Sequence, residues 1–468
     1  MNLVPYILFI TIFIIDYLAM GLRVIPFSFT YLAELISGIL FIFIVLRASY
    51  TKSFFLPNKY ALLAVIYLAH ILCGLILNNV SAGPTFLGAR LYFKYIPFFL
   101  LPAVYAFSEK QIATQIKILL LFALAQIPVA LFQKFIQFRG IYTGDVVRGT
   151  LDTSSAVSIF LVSAIVIILG FYLKNRISAK HFIILALLLF LPTTINETKG
   201  VVILFPFAIF TVILFSAKDR HAKKRIVNVM AVTVLFGFIF SVVYSAFFIT
   251  DERAKTGVFE FFSDPDKVMS YLYREEEFSL DLLKPKKGGQ VIATSHEKSH
   301  EYYSRLNVMI APISLLSNDP TKLLFGLGIG NVSPTKRSVI QGDYVHLSKV
   351  LGAAETVVSI IIWETGVIGL ILLLVFCYML FSDARRLSSY DTYNGALALG
   401  WLGVVMIFVL SFPYKNVLVF KAIGVLFWYL SGYIASTNYR LMREQNMLQL
   451  DNNFTRFSRK SKQRPNEQ

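Results

Sequence analysis

The chain of 468 residues is 56% apolar and only 15% charged, too little charge to cover a soluble protein of this size. Lipid must solvate most of it, and backbone groups with no water nearby require spanning segments to be helices. A net charge of +17 suggests nucleic acid, but the excess sits in short connections between apolar runs, which argues against a nucleic-acid partner. Cys73 and Cys377 lie inside such runs, leaving no disulfide framework, CxxC motif or zinc cluster.

The first apolar run, Val4 to Met20, has no basic segment ahead of it and no small-residue cleavage site, so it is read as a retained span. Further runs follow at about 26–46, 60–78, 91–107, 116–138, 155–173, 181–197, 200–215, 226–248, 353–381, 395–412 and 416–436. The predicted fold is an all-α membrane protein of about twelve transmembrane helices. An even number puts both termini on one side. Placing them in the cytoplasm gives the inner loops and tail 22 Lys and Arg, against nine in the short outer loops and adjoining span ends. The positive-inside rule selects that orientation.

Four regions follow: membrane spans over 1–248, a large external loop over 249–352, spans again over 353–437, and a basic cytoplasmic tail over 438–468. The loop carries 13 basic and 13 acidic residues and is too long for its charge to decide topology. It is expected to be partly helical, with an amphipathic helix from Glu301 to Leu316. The tail is expected to be solvated and partly disordered, its basic residues near lipid head groups.

Charges at span ends carry the functional signal, because an ionisable group at membrane depth costs several kcal/mol on insertion scales. The outer set is basic: Arg90 and Lys94 open the fourth span, Arg139 and Arg148 lie between the fifth and sixth, Lys199 sits in N196-ETKG, and Lys415 lies between the last two. Singly, each is compatible with snorkelling to head groups. As a set they break the expected outer depletion and suggest an anion site. Lys199 is the sharpest case, since a helix N-terminus follows it, although Glu197 is a possible ion-pair partner. Within the loop, F325-GLGIGN has no strand ahead of it, which excludes a dinucleotide-binding turn. In A354-ETVVSIIIWETGVIGL, Glu355 and Glu364 would point to opposite faces of a continuous helix. Glu364 is therefore expected to cap or orient the helix from Gly366, and Glu355 either caps the span or acts as a base.

Together V147-RGTLDTSSA, T198-KGV, Arg305, F325-GLGIGN and E364-TGVIGL resemble the superfamily of bacterial O-antigen ligases and O-antigen polymerase-like proteins. The resemblance spans the topology of almost the whole chain, and its motifs only at those points. It implies a metal-independent glycosyltransferase without cofactors, in the bacterial inner membrane. Its partners would be a polyprenyl pyrophosphate-linked glycan donor, a glycan or lipid acceptor, and membrane lipids. It also implies that Lys199 and Arg305 hold the pyrophosphate; Arg148, Arg90 and Lys94, from the outer basic set, are read as further substrate-binding residues. The chain departs from the ligase pattern where a His-Asn pair should stand nine residues before Glu364. Glu355 and Thr356 occupy that place, and His346 lies nine residues further upstream. Glu355 then becomes the expected catalytic base, with His346 beside the substrate, and a polymerase-like activity is favoured over a ligase. A lipid-glycan flippase is the alternative outside enzymes, though the off-centre loop and rim charges suit it less. The orientation predicts that a reporter active only in the cytoplasm works when fused after Lys224 and fails when fused at Gly288; the reverse result overturns it.

Overall fold

The computed structural model describes residues 3–139, 144–196, 198, 200–216, 222–248, 278, 280–285, 304–335 and 340–462. Lys199, Glu197, Glu301 and most of the first half of the predicted loop lie outside them, as does 463–468. Among the described residues the protein is helical and has no strand. The helices are α1 Val4–Ile10, α2 Leu32–Thr51, α3 Asn58–Leu77, α4 Ala82–Phe93, α5 Ile96–Val104 and α6 Glu109–Phe132. Then come α7 Ser154–Leu173, α8 Ala179–Ile195, α9 Gly200–Ser216 and α10 Ala222–Phe248. In the predicted loop lie α11 Arg305–Leu316, α12 Pro320–Phe325 and α13 Val345–Val350. The last three are α14 Val357–Ser388, α15 Tyr393–Leu410 and α16 Lys421–Lys462.

Each of the twelve predicted segments contains helix, and among the described residues seven helical stretches are long and apolar enough to cross a membrane. One expectation changes. The fourth segment is not one helix: α4 ends at Phe93, and α5 restarts at Ile96 with Pro97 in its first turn. α16 runs through the predicted tail as far as Lys462. In the described part of the loop, α11 and α12 pack on α14, and α12 also packs on α3.

Serine and threonine begin many helices because their side-chain oxygens satisfy N–H groups that lack partners in the first turn. Ser108 forms a full capping box with Gln111, and Thr153, Ser178, Ser304, Thr356 and Thr392 cap their helices singly. α7 forms the centre of the bundle and is buried along nearly its whole length against α15. The two backbones meet at Gly170 and Gly400, where a Cβ on the first would lie 2.8 Å from Cα of the second. Such close approach replaces the hydrophobic drive that lipid does not supply between helices.

Polar contacts collect at the two ends of the bundle. At one end Asp383 accepts from Lys59 Nζ at 2.7 Å, the Tyr60 hydroxyl at 2.6 Å and Asn438 Nδ2 at 3.1 Å. Here also Arg47 and Arg440 donate to Val104 O and Pro102 O, and Arg225 to Leu173 O, so cations satisfy the last carbonyls of α5 and α7. The other end holds the pairs Lys421–Asp16 and Arg90–Glu34. Each contact joins residues that the charge pattern assigns to the same side of the membrane.

α14 breaks at Gly366, whose φ of 69° and ψ of −174° belong to a region open essentially to glycine alone. Gly366→Ala is expected to cost about 1–3 kcal/mol, read as a lower midpoint of thermal unfolding in detergent. Gly38→Ala on α2, where an added Cβ meets nothing within 4 Å, should be neutral or stabilising by up to about 1 kcal/mol. Equal effects would refute the conformational argument.

Candidate functional site

The break at Gly366 deprives the preceding carbonyls of their usual partners four residues on. The turn F325–N331 replaces them: Leu327 N–H donates to Trp363 O at 2.7 Å and Gly328 N–H to Glu364 O at 3.0 Å. His70, deep in α3, supplies a third, with Nε2 2.7 Å from Thr365 O. A carbonyl only accepts, so Nε2 must carry the proton. The imidazole lies over Phe325 with ring centroids 5.2 Å apart. Gly326 faces the break with φ of 71°, and a Cβ there would come within 2.6 Å of Gly366 N.

Glu364 is 1% exposed and fully engaged. Its Oε1 accepts from Val332 N–H at 3.2 Å and Ser333 N–H at 2.7 Å, and its Oε2 accepts from the Tyr92 hydroxyl at 2.9 Å. The carboxylate thus fastens the glycine turn and α4 to the broken helix, a structural role as expected but with different partners. Outside the spans, Lys322 pairs with Asp319 at 3.1 Å and holds that carboxyl below its ordinary range. Burial raises the Tyr344 phenol.

A second assembly forms around the connection between α15 and α16. The V147–D152 loop is held by glutamines on or just beyond α6. Gln133 Oε1 accepts from Arg148 N–H at 3.0 Å and Gly149 N–H at 2.8 Å, and Gln126 Oε1 from Thr150 N–H at 2.8 Å. Asn196, fully buried at the end of α8, donates to Ser154 O at 3.0 Å and Ser158 Oγ at 2.8 Å, and accepts from Thr198 N–H at 3.3 Å. On the far side of Lys199, Gly200 abuts the Tyr414 ring, 2.8 Å from where its Cβ would be. Two residues on, Asn416 donates from its backbone to Glu355 O at 2.7 Å and from Nδ2 to Ala354 O at 3.1 Å. The Arg148 loop, both neighbours of Lys199 and the Glu355 turn therefore share one end of the bundle.

Beside them lies a group of paired charges. Arg90 forms a two-pronged pair with Glu34 at 2.7 and 3.0 Å, and Lys94 approaches the same carboxylate at 3.6 Å. Lys421 Nζ donates to Asp16 at 2.8 Å and to Thr30 O at 2.6 Å, and its backbone N–H points to Asp152 at 3.5 Å. Asp16 stands between two π-helical turns, Thr11–Ile15 and Tyr17–Gly21.

The structure thus brings Arg148 and Glu355 to one end and joins Arg90 to Lys94 through Glu34. The Arg148 guanidinium reaches Met20 O at 3.4 Å. Glu355 is half-buried, and capping of α14 falls to Thr356, which accepts from Ser359 N–H at 3.1 Å. His346 is buried, with Nε2 2.8 Å from Leu282 O. Arg305 opens α11, although its side chain, like all of Lys199, lies outside the described part. Sequence reading did not single out Asp16, Glu34, Asp152 or Lys421. Asp16 and Glu34 were visible as carboxylates inside apolar runs, the same depth argument applied only to cations.

Among the described residues no group of three or more His, Cys, Asp or Glu is placed to hold a metal ion. No protein-family model matches the chain, and no curated protein matches it. Glu364→Ala would strip acceptors from two buried N–H groups, each worth about 1–3 kcal/mol when left unpaired. Amide exchange at Val332 and Ser333 should accelerate strongly in that variant and little in Tyr92→Phe; unchanged exchange in the first would remove the carboxylate from its anchoring role.

Proposed function

We propose that this protein is a twelve-span glycosyltransferase of the bacterial inner membrane, with both termini cytoplasmic, acting on a polyprenyl pyrophosphate-linked glycan at the outer face. The observation that carries the reading is that Gly200 and the Glu355 turn meet residues 414–416, while Asp152 of the Arg148 loop meets the backbone of Lys421 just beyond, at one end of the bundle. Two of these segments, the Arg148 loop and the one that begins at Thr198, belong to the family resemblance, and Glu355 stands where the resemblance has its His-Asn pair. No nucleotide sugar is available outside the membrane, so bond energy must arrive with the lipid-linked donor.

In the reaction the acceptor hydroxyl attacks the anomeric carbon while the bond to the pyrophosphate oxygen breaks, and the electron pair leaves with the polyprenyl pyrophosphate. Lys199 and Arg305 stabilise that departing anion. Glu355 takes the hydroxyl proton, the work a carboxylate does in inverting glycosidases. Thr356 already caps α14, so capping does not explain an acid at position 355. A polymerase-like reaction is preferred to a histidine-dependent ligase reaction because Glu355 and Thr356 stand where the ligase pattern has its His-Asn pair.

With purified lipid-linked donor in single turnover, Glu355→Gln should slow transfer by about 10²–10⁴-fold without weakening donor binding. Lys199→Ala and Arg305→Ala should abolish transfer but not membrane insertion, with Lys199→Arg milder because charge is kept. Near-normal rates in Glu355→Gln beside a collapse in His346→Ala would move the base to the histidine.

A further inference from the structure

The first turns of α14 are buried although their sequence suits lipid. From V357-VSIII to Gly366 all residues are buried but the half-buried Val358, and large exposed apolar residues of α14 begin only past the break, at Ile371 and Leu374. α11 and α12 pack on this helix and carry apolar surface of their own outward. Ile310 and Ile313 on α11 and Leu324 on α12 are 41%, 46% and 43% exposed. Ser314 and Ser317 share the exposed side of α11, while Asn307 is buried.

α3 measures how deep α12 reaches. Its 20 residues, Asn58–Leu77, span about 30 Å, the thickness of a hydrocarbon core. Lys59 stands at one end, and Asn78 and Asn79 follow the other. A Cβ on Gly74 would lie 3.0 Å from Phe325 O, and the Phe325 ring stacks on His70. At the helical rise these positions lie about 4.5 and 10 Å below Leu77. On α14, a Cβ at Gly366 would overlap Leu324 O, well inside that span. The charges of this segment stay at its upper end, where Asp319 caps α12 and pairs with Lys322. The backbone meets the demand of a lipid surrounding, because Leu323 and Gly326 N–H bond within the turn and Leu327 and Gly328 N–H bond to α14.

We propose that α12 re-enters the membrane from the loop side, the outer leaflet in the orientation that the charge pattern selects, with Leu324 among acyl chains and Ile310 and Ile313 at their head-group boundary. The partner of this face is the hydrocarbon of the bilayer, which requires no hydrogen bond from what it touches. α12 wedges between α3 and α14 and replaces lipid against the outer turns of α14. α11, joined to it by residues 317–319, lies along the interface as helices with one apolar side do. The proposal is independent of glycan transfer and holds whether or not the protein is an enzyme.

The test is spin-label accessibility in the full chain reconstituted into phosphatidylcholine–phosphatidylglycerol vesicles, in a Cys73→Ser background that removes the exposed thiol. Labels at Leu324→Cys and Ile313→Cys are compared with Ile76→Cys, on the exposed side of α3, and Ser317→Cys, in the turn. Collisions with oxygen report hydrocarbon, and collisions with a water-soluble nickel chelate report solvent. The oxygen-to-nickel ratio at Leu324 should match that at Ile76 and exceed that at Ser317 by about tenfold, since hydrocarbon excludes a charged chelate. Ile313 should fall between them. A ratio at either test site equal to that of Ser317 overturns the proposal. Leu324→Asp should also lower the midpoint of thermal unfolding in the same vesicles while Ser317→Asp leaves it unchanged. Equal midpoints would place α12 in water and sink the assignment.

Discussion

Most of what surrounds the broken helix follows from one constraint: three backbone carbonyls freed at Gly366 must find donors where lipid offers none. Unpaired, each would cost several kcal/mol in hydrocarbon. Leu327, Gly328 and His70 meet that demand, and meeting it dictates the path of the chain. The glycine turn must pass against the break with its N–H groups facing inward, which requires backbone contact at Gly326. Glu364 then turns the same fastening outward to Val332, Ser333 and Tyr92. A break in one span thus commits part of the loop, α3 and α4 to a common position. Irregular backbone at membrane depth is tolerated where protein encloses it, and this is such a case.

The same demand operates in milder form elsewhere. Asn196 gathers the start of α7 and the end of α8 because a turn that tight leaves backbone groups without helical partners. Gln126 and Gln133 do so for the Arg148 loop. These amides each present donor and acceptor, so one side chain can serve two chain segments without placing a charge in the bundle. The residues proposed to contact substrate are consequently mounted on loops whose backbones are over-determined, the condition for holding catalytic groups in fixed geometry.

Sequence patterning made the spans legible because apolar run length is a strong signal, and it located the breaks in polarity around Arg148, Thr198 and Glu355. It erred where helix continuity depends on tertiary partners. The 91–107 run reads as one span, yet Tyr95 and Pro97 divide it, and no window average registers that. The tail reads as solvated and is exposed over 442–449, while its polarity does not stop α16, already nucleated in the apolar segment, from running on to Lys462. The Gly366 break was invisible for a different reason. A glycine in an apolar helix is ordinary in membrane proteins, and only donors arriving from residues 327, 328 and 70 make a break affordable. Cations stood out at the outer rim while their partners did not, since Glu34 is far in sequence from Arg90 and Lys94.

That oversight changes what the rim charges mean. A cation at the outer end, taken alone, reads as half of an anion site, whereas Arg90 paired in two-pronged fashion to Glu34 has little field left to offer a phosphate. Arg148 differs, because among the described residues its guanidinium meets the Met20 carbonyl rather than a carboxylate. Lys421 is offset by Asp16. At this end of the bundle the paired charges and the Arg148 loop adjoin each other, because the Arg148 guanidinium reaches Met20 O and the Lys421 backbone N–H points to Asp152 of the same loop. Which cation has field to offer an anion is therefore decided by carboxylate pairing rather than by position along the chain.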